Sequence, residues 1–156
     1  NNKKMIKYKK ILLVLFILLI GCGYKPIFSS KETTFAINNI EFLTADKINS
    51  KIKNQLKIYT KTDNETKFYN LIIDVKKEKN ISLKDSKGDP KIFSMNVSID
   101  VEVTENNISK GKRNFTENFS YNNNENKFDL NRYEENIENN ILSKLNERII
   151  IYLYSL

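Results

Sequence analysis

An alternation of apolar and polar side chains over residues 93–104 constrains the fold of this chain more than any other feature. Every second side chain is apolar, and those between them carry hydroxyl, amide or carboxyl groups. A period of two is typical of a β-strand with one face in a core and the other in water or against a polar partner. The sequence therefore predicts a half-buried strand whose apolar face comprises Phe93, Met95, Val97, Ile99, Val101 and Val103.

The segment before this strand predicts a strand, a helix and a second strand. Residues 35–42 have an apolar phase that shifts near Asn38 and Asn39, which indicates a strand with a bulge or a bend. Residues 46–59 place apolar side chains at helical spacing behind the cap candidates Thr44 and Asp46, and so predict a short amphipathic helix. Four alternating side chains then predict the second strand: Tyr69, Leu71, Ile73 and Val75.

Two more elements are predicted after the alternating strand. A fourth strand covers residues 112–121 and directs three aromatic side chains inward: Phe115, Phe119 and Tyr121. A long C-terminal helix begins near Asp129 and carries one apolar stripe: Tyr133, Ile137, Ile141, Leu145, Ile149 and Tyr152. We expect Glu134, Glu135 and Glu138 to be exposed on its polar side. The fold class is therefore α+β, a small sandwich of order β-α-β-β-β-α whose antiparallel-dominated sheet has two helices packed on one face.

The connections on either side of the alternating strand carry different signals. Residues 76–91 contain six Lys, three acidic residues, a Gly and a Pro, and predict a mobile hairpin connection. After the strand, a two-residue turn at Asn106 and Asn107 would place Phe115 on the polar face if both strands direct their odd residues into one core. We therefore expect a longer turn there, or a bulge near Gly111.

A lysine-rich segment, an apolar run and a cysteine succeed one another at the N-terminus. Five lysines are followed by ten unbroken apolar residues, Ile11–Ile20. As a helix this run spans about 15 Å, roughly half of a bilayer's hydrocarbon core, so it suits a signal sequence better than a permanent span. Gly21 then precedes Cys22, the only Cys in the chain, in the pattern of a bacterial lipoprotein cleavage site. We expect the mature protein to begin at Cys22, with acyl chains on this residue anchoring it to a membrane.

The charge of the chain falls when residues 1–21 are removed. The whole chain has a net charge of +7, but this segment holds five Lys and no acidic residue, which leaves 21 basic and 19 acidic residues, or +2. So small a surplus does not predict nucleic acid as a partner. Without His and with a single Cys, the chain lacks the groups for Ser-His-Asp or Cys-His catalysis and for the usual zinc sites, so we expect no enzyme activity and no cofactor. The predicted organisation is a signal peptide at 1–21, a lipidated tether at 22–34 and one domain at 35–156.

Two basic groups are candidates for contact with anionic partners such as lipid phosphates. One group flanks the expected connection after the second strand, and the other follows the third strand. Ordinary solubilising lysines would account for both groups as well, and this alternative stays open. The candidate residues are Lys84, Lys87 and Lys91 in the first group and Lys110, Lys112 and Arg113 in the second.

The sequence Gly21-Cys22-Gly23-Tyr24-Lys25-Pro26-Ile27-Phe28 resembles the start of the LptE family of lipopolysaccharide-assembly lipoproteins, in its alphaproteobacterial form. The C-terminal third adds to the resemblance through Tyr121, Phe128 and the stripe of the last helix. The resemblance implies a small α/β sandwich that is not an enzyme. It implies a plug inside the outer-membrane β-barrel LptD that assists barrel assembly and contacts lipopolysaccharide, held by its lipid anchor at the periplasmic face of the outer membrane.

Two other functions remain open at this point. The first is an auxiliary lipoprotein of an ABC-type lipid transport system, which can carry a similar anchored domain. The second is an assembly chaperone or pilotin without a ligand of its own. Copurification with a large outer-membrane barrel would favour the plug over both.

Overall fold

Four strands and two helices follow one another in the order β-α-β-β-β-α. The structure is a computed structural model and describes residues 35–60 and 67–156. The signal peptide, Cys22 and the tether at 22–34 lie outside the described residues. The elements are β1 (Phe35–Phe42), α1 (Lys47–Leu56) with a 3-10 turn at Lys57–Tyr59, β2 (Lys67–Lys84), β3 (Pro90–Glu105), β4 (Ile108–Asn122) and α2 (Lys127–Tyr154).

The four strands form one mixed sheet in the order β1-β2-β3-β4. β1 pairs with β2 in parallel, and the other two pairs are antiparallel. The parallel pair follows from the connection, because a helix between two strands returns the chain in the same direction. The predicted fold class, element order and mostly antiparallel sheet are confirmed.

Both predicted irregularities of the sheet are present. The register of β1 on β2 shifts between Ile37 and Asn39. In the β3–β4 hairpin, Asn106 and Asn107 have φ of 51° and 64°, as a tight turn of two left-handed residues requires. The register then shifts so that Val103 pairs with Gly111. The bulge thus restores the parity that brings the odd residues of both strands to one face.

Side-chain caps fix where the two helices begin. Asp46 accepts a hydrogen bond from the backbone N–H of Ile48 at 3.0 Å, which confirms the predicted start of α1. Asn126 caps α2 in the same way, through the N–H of Phe128 at 3.0 Å. None of the helices within residues 35–60 and 67–156 is long and apolar enough to cross a membrane.

The core lies between the sheet and the two helices. The odd residues of β3 from Met95 to Val103 are buried beneath the helices and Phe93 is partly buried, as their alternation predicts. The largest side chains that are almost completely buried come from five elements: Phe35, Ile37, Ile52, Leu56, Tyr69, Leu71, Ile73, Ile99, Leu142, Leu145, Ile149 and Leu153. Burying side chains of this size contributes about 1.5–3 kcal/mol each relative to exposure, so this single layer dominates the stability of the fold.

The predicted connection at residues 76–91 is wrong in extent. β2 continues to Lys84 and β3 begins at Pro90, so only residues 85–89 form the loop. Asp85 organises this loop by accepting hydrogen bonds from the N–H groups of Lys87 at 2.8 Å and Asp89 at 2.9 Å. Beyond Val75 all residues of β2 are exposed, so backbone hydrogen bonds to β3 hold this part of the strand without an apolar alternation.

The Phe119 side chain faces inward as predicted but is only partly buried. Phe119 shares the inward parity of Phe115 and Tyr121, yet it is 43% exposed, and Tyr133 of the predicted helix stripe is 47% exposed. Both side chains line a groove of about 460 Å³ between β4 and α2, here called the β4–α2 groove. An edge strand has no neighbour to close such a gap, and α2 covers only part of it.

Candidate functional site

The face that β2, β3 and β4 turn away from the helices is a candidate surface, and we call it the open face. It consists of the even residues within 70–78 of β2, 96–104 of β3 and 112–120 of β4, because side chains two residues apart share a face. No described element covers this face. Most of its side chains are Asn, Ser, Thr or acidic residues.

Hydrogen bonds between neighbouring strands hold the centre of the open face in place. The Asn114 amide donates to Ser98 Oγ at 2.8 Å and to an Asp100 carboxylate oxygen at 3.1 Å. Thr116 Oγ1 donates to Asn114 Oδ1 at 2.8 Å and lies 3.2 Å from Ser98 Oγ. These side chains therefore present fixed donors and acceptors, which lowers the entropic cost of binding a polar partner.

The open face is acidic. It holds four carboxylates and two cations, a net charge of −2. Asp74 lies directly opposite Asp100 across the β2–β3 pair, and like charges in that position repel. Each is partly compensated, since Thr44 Oγ1 donates to Asp74 at 2.8 Å and Asn114 donates to Asp100. A partner that supplies donors or cations fits this face better than an anion does.

The first predicted basic group lies at the tip of the β2–β3 hairpin. Lys84, Lys87 and Lys91 are all exposed around the loop that Asp85 organises. None of them forms an ion pair with another residue in the described part of the chain. Their ammonium groups are available to an anionic partner, although Asp85 and Asp89 in the same loop reduce the local positive charge.

The second predicted basic group is not one cluster. Lys112 extends from the open face, whereas Arg113, one residue later, lies on the helix side with its guanidinium 5.4 Å from the Tyr152 ring centroid. Lys110 occupies the bulge and pairs with Glu105 at 2.7 Å. The hydrogen bond from Lys110 to Glu105, with the attraction of that carboxylate, raises the pKa of the lysine.

The two basic groups lie at opposite ends of the sheet. β3 runs from the hairpin tip at Pro90 to the Asn106-Asn107 turn over 16 residues. At about 3.3 Å per residue, the two ends are roughly 50 Å apart. The two basic groups therefore do not form one site, and one small anion cannot contact both.

The expectation that the glutamates of α2 are exposed is wrong for Glu138 and Glu134. Glu138 is buried between the helices and the sheet, where it pairs with Lys51 of α1 at 2.7 Å and with Lys77 of β2 at 2.6 Å. Burial favours a higher pKa for Glu138, but the hydrogen bonds from the two lysines outweigh it and lower the pKa. Of the three predicted glutamates, Glu135 alone is largely exposed.

Glu134 links α2 to the same side of the sheet. It pairs with Lys79 at 2.6 Å and accepts a hydrogen bond from the Tyr121 hydroxyl at 2.9 Å. Burial of Tyr121 raises its pKa, and the hydrogen bond to Glu134 adds to the effect. The sequence carried one signal for this network, because Lys77 and Lys79 continue the inward parity of β2 beyond Val75. With the Glu138 pairs, the network joins four elements, α1, β2, β4 and α2, and is structural.

Comparison with known proteins identifies the fold but no sequence relative. No protein-family model matches this chain, and none of the curated proteins compared with it is similar in sequence. Among solved structures, rare lipoprotein B from Shewanella oneidensis has a TM-score of 0.58 at 10% identity and covers 76% of this chain and 95% of its own. A minor lipoprotein from Acinetobacter baumannii has a TM-score of 0.54 at 14% identity, covering 75% of this chain and 87% of its own. Lipoprotein B from Nitrosomonas europaea has a TM-score of 0.53 at 12% identity, covering 79% and 87%.

Proposed function

We propose that this chain is a lipid-anchored accessory protein of lipopolysaccharide transport and assembly, which docks in an outer-membrane β-barrel of the LptD type. The observation that carries the proposal is the open face, a wide, pre-ordered and polar surface on a sheet whose other face packs against the helices. A barrel lumen is polar, and its inward side chains can meet such a surface through many hydrogen bonds.

Two surfaces of opposite charge suit two different partners. The open face carries a net charge of −2 and would repel lipopolysaccharide phosphates, so we assign it to the barrel wall. The lysines at the β2–β3 hairpin tip, which form no ion pair within the described residues, have the opposite sign and suit the anionic groups of lipopolysaccharide. Since Lys110 is paired with Glu105, its end of the sheet is the weaker candidate for lipopolysaccharide.

Two further observations, which do not concern the open face, support the proposal. The structures with this fold include bacterial lipoproteins from three organisms. The sequence motif at Cys22 independently predicts a lipid anchor. Together they favour a lipoprotein of this fold over an enzyme, and the resemblance at residues 21–28 supplies the link to lipopolysaccharide assembly.

Copurification from membranes tests the proposal. The tagged chain is extracted in mild detergent, and we expect a large β-barrel protein to accompany it in stoichiometric amount. Ser98→Arg places bulk and positive charge at the centre of the open face and should reduce the recovered barrel. Ser50→Arg makes the same change on the exposed side of α1 and should not.

Depletion of the protein provides the second readout. We expect greater outer-membrane permeability to large hydrophobic antibiotics and less lipopolysaccharide at the cell surface. A normal barrier in depleted cells, together with no barrel in the extract, would overturn the proposal in favour of an auxiliary or pilotin lipoprotein.

A further inference from the structure

The outer edge of β4 has no partner strand among the residues that the structure describes. Arg148 of α2 donates to the carbonyl oxygen of Thr116 at 3.0 Å, so this carbonyl points away from β3. Because the backbone groups of alternate residues point to the same side of a strand, those of Asn118 and Ser120 point outward as well. This part of the edge can pair with an added strand.

The β4–α2 groove lies along this free part of the edge. Phe119 and Tyr133 line it with large exposed surfaces, and beneath them lie the buried side chains of Ile137 and Ile141. Phe119 faces the helix side of the sheet but is left partly uncovered beside the free edge. A strand added to β4 would cover it, since alternate side chains of the added strand would also point towards α2.

The rim of the groove is positively charged. Lys144 lies 3.0 Å from Glu117, and Arg148 lies 3.9 Å from the same carboxylate. Two largely exposed cations therefore share one anion. The surplus positive charge favours a partner that brings a carboxylate to this position.

We propose that the β4–α2 groove and the adjoining edge bind an extended peptide segment of a partner protein, which adds to β4 as a fifth strand. Its backbone pairs with Asn118 and Ser120, an apolar side chain covers Phe119 and Tyr133, and an acidic side chain meets Lys144 or Arg148. A lipid acyl chain could fill the groove but would leave the edge unpaired, so a peptide accounts for more of the observations. This surface is separate from the open face, and the inference does not depend on the proposed function.

Site-specific photo-cross-linking on the full-length chain in its native membranes tests the inference. A benzoylphenylalanine at Asn140, an exposed residue that lines the groove, reports what occupies it. We expect adducts that map by mass spectrometry to one protein segment with alternating apolar residues and a carboxylate. Adducts on lipid alone, on a segment without this pattern, or no adduct would overturn the inference.

Two variants separate strand addition from simple proximity. Asn118→Pro removes an outward N–H without breaking the β3–β4 pairing, and Phe119→Lys places a charge in the groove. Each should lower the adduct yield about tenfold, as the loss of one good contact predicts, while circular dichroism confirms that the variants fold. Ile151→Lys is the matched control, because Ile151 is an exposed α2 residue outside the groove lining. Equal adduct yields in all three variants would refute strand addition, whatever the result of barrel copurification.

Discussion

Replacing Glu138 with Gln tests the ion pairs that join both helices to the sheet. Hydrogen bonds to charged groups contribute about 1.5–3 kcal/mol each when well formed. The side chains of Lys51 and Lys77 are 33% and 38% exposed, so water screens both pairs. Because of this screening, we expect Glu138→Gln to lower the free energy of unfolding by about 1–2 kcal/mol at pH 7. Urea unfolding followed by circular dichroism measures this change.

The effect of pH on the same variant has a defined sign. The pKa of Glu138 is lowered in the folded protein, because the lysine hydrogen bonds outweigh burial. Its contribution is therefore fully present above the unfolded pKa, about 4.3, and is lost as the pH falls through the lower folded value. The parent should lose more stability than Glu138→Gln on acidification below about pH 5.

Glu135→Gln is the matched control for this experiment. Its side chain is 66% exposed and its contact with Lys51 is 3.9 Å long, so we expect a change within about 0.5 kcal/mol. If the two variants unfold at the same urea concentration, or if Glu138→Gln follows the pH profile of the parent, the buried pairs do not stabilise the fold.

Four further predictions concern other parts of the molecule. Gly111→Ala should cost about 1–3 kcal/mol, because the new Cβ would collide with the Tyr152 hydroxyl, and Tyr152→Phe should recover part of this loss in thermal unfolding. Asp100→Asn should raise the free energy of unfolding by about 0.2–1 kcal/mol, since it removes a like-charge pair while the Asn114 hydrogen bond can remain, and a lower urea midpoint would contradict this. Cys22→Ala should abolish labelling by a clickable fatty acid, and labelling equal to the parent would exclude lipidation at this residue. Two triple variants to Glu compare the ends of the sheet: one replaces Lys84, Lys87 and Lys91 at the hairpin tip, and the other replaces Lys110, Lys112 and Arg113 at the β3–β4 end. Both should keep the circular dichroism spectrum of the parent, and the hairpin-tip variant should lose more lipopolysaccharide binding.

The arrangement of the strands could be predicted because the core imposes a period of two on the sequence. The odd positions of β3 indicate one buried face, and the parity of Phe115 then requires either a longer turn or a bulge, of which the structure has the bulge before Gly111. The shift near Asn38 was readable for the same reason. Each of these inferences needed only the rule that apolar side chains share a face.

Features that depend on tertiary contacts were not readable in the same way. Glu138 has the sequence neighbourhood of an exposed residue, and only the approach of α1 and β2 buries it. The sequence does not predict that β2 continues beyond Val75, because this part of the strand lies outside the core and is held by backbone hydrogen bonds without an apolar alternation. Phe119 has inward parity, but parity does not reveal that α2 leaves the edge strand partly uncovered.

Because the core formed by the described residues lies on one face of the sheet, side chains on the open face do not have to fit a core. A substitution at Ser98 or Thr116 alters no buried contact, so selection on folding places little constraint on these positions. Such a scaffold can hold its shape while its outer surface changes to follow a changing partner. Backbones that match at 10–14% sequence identity accord with that freedom.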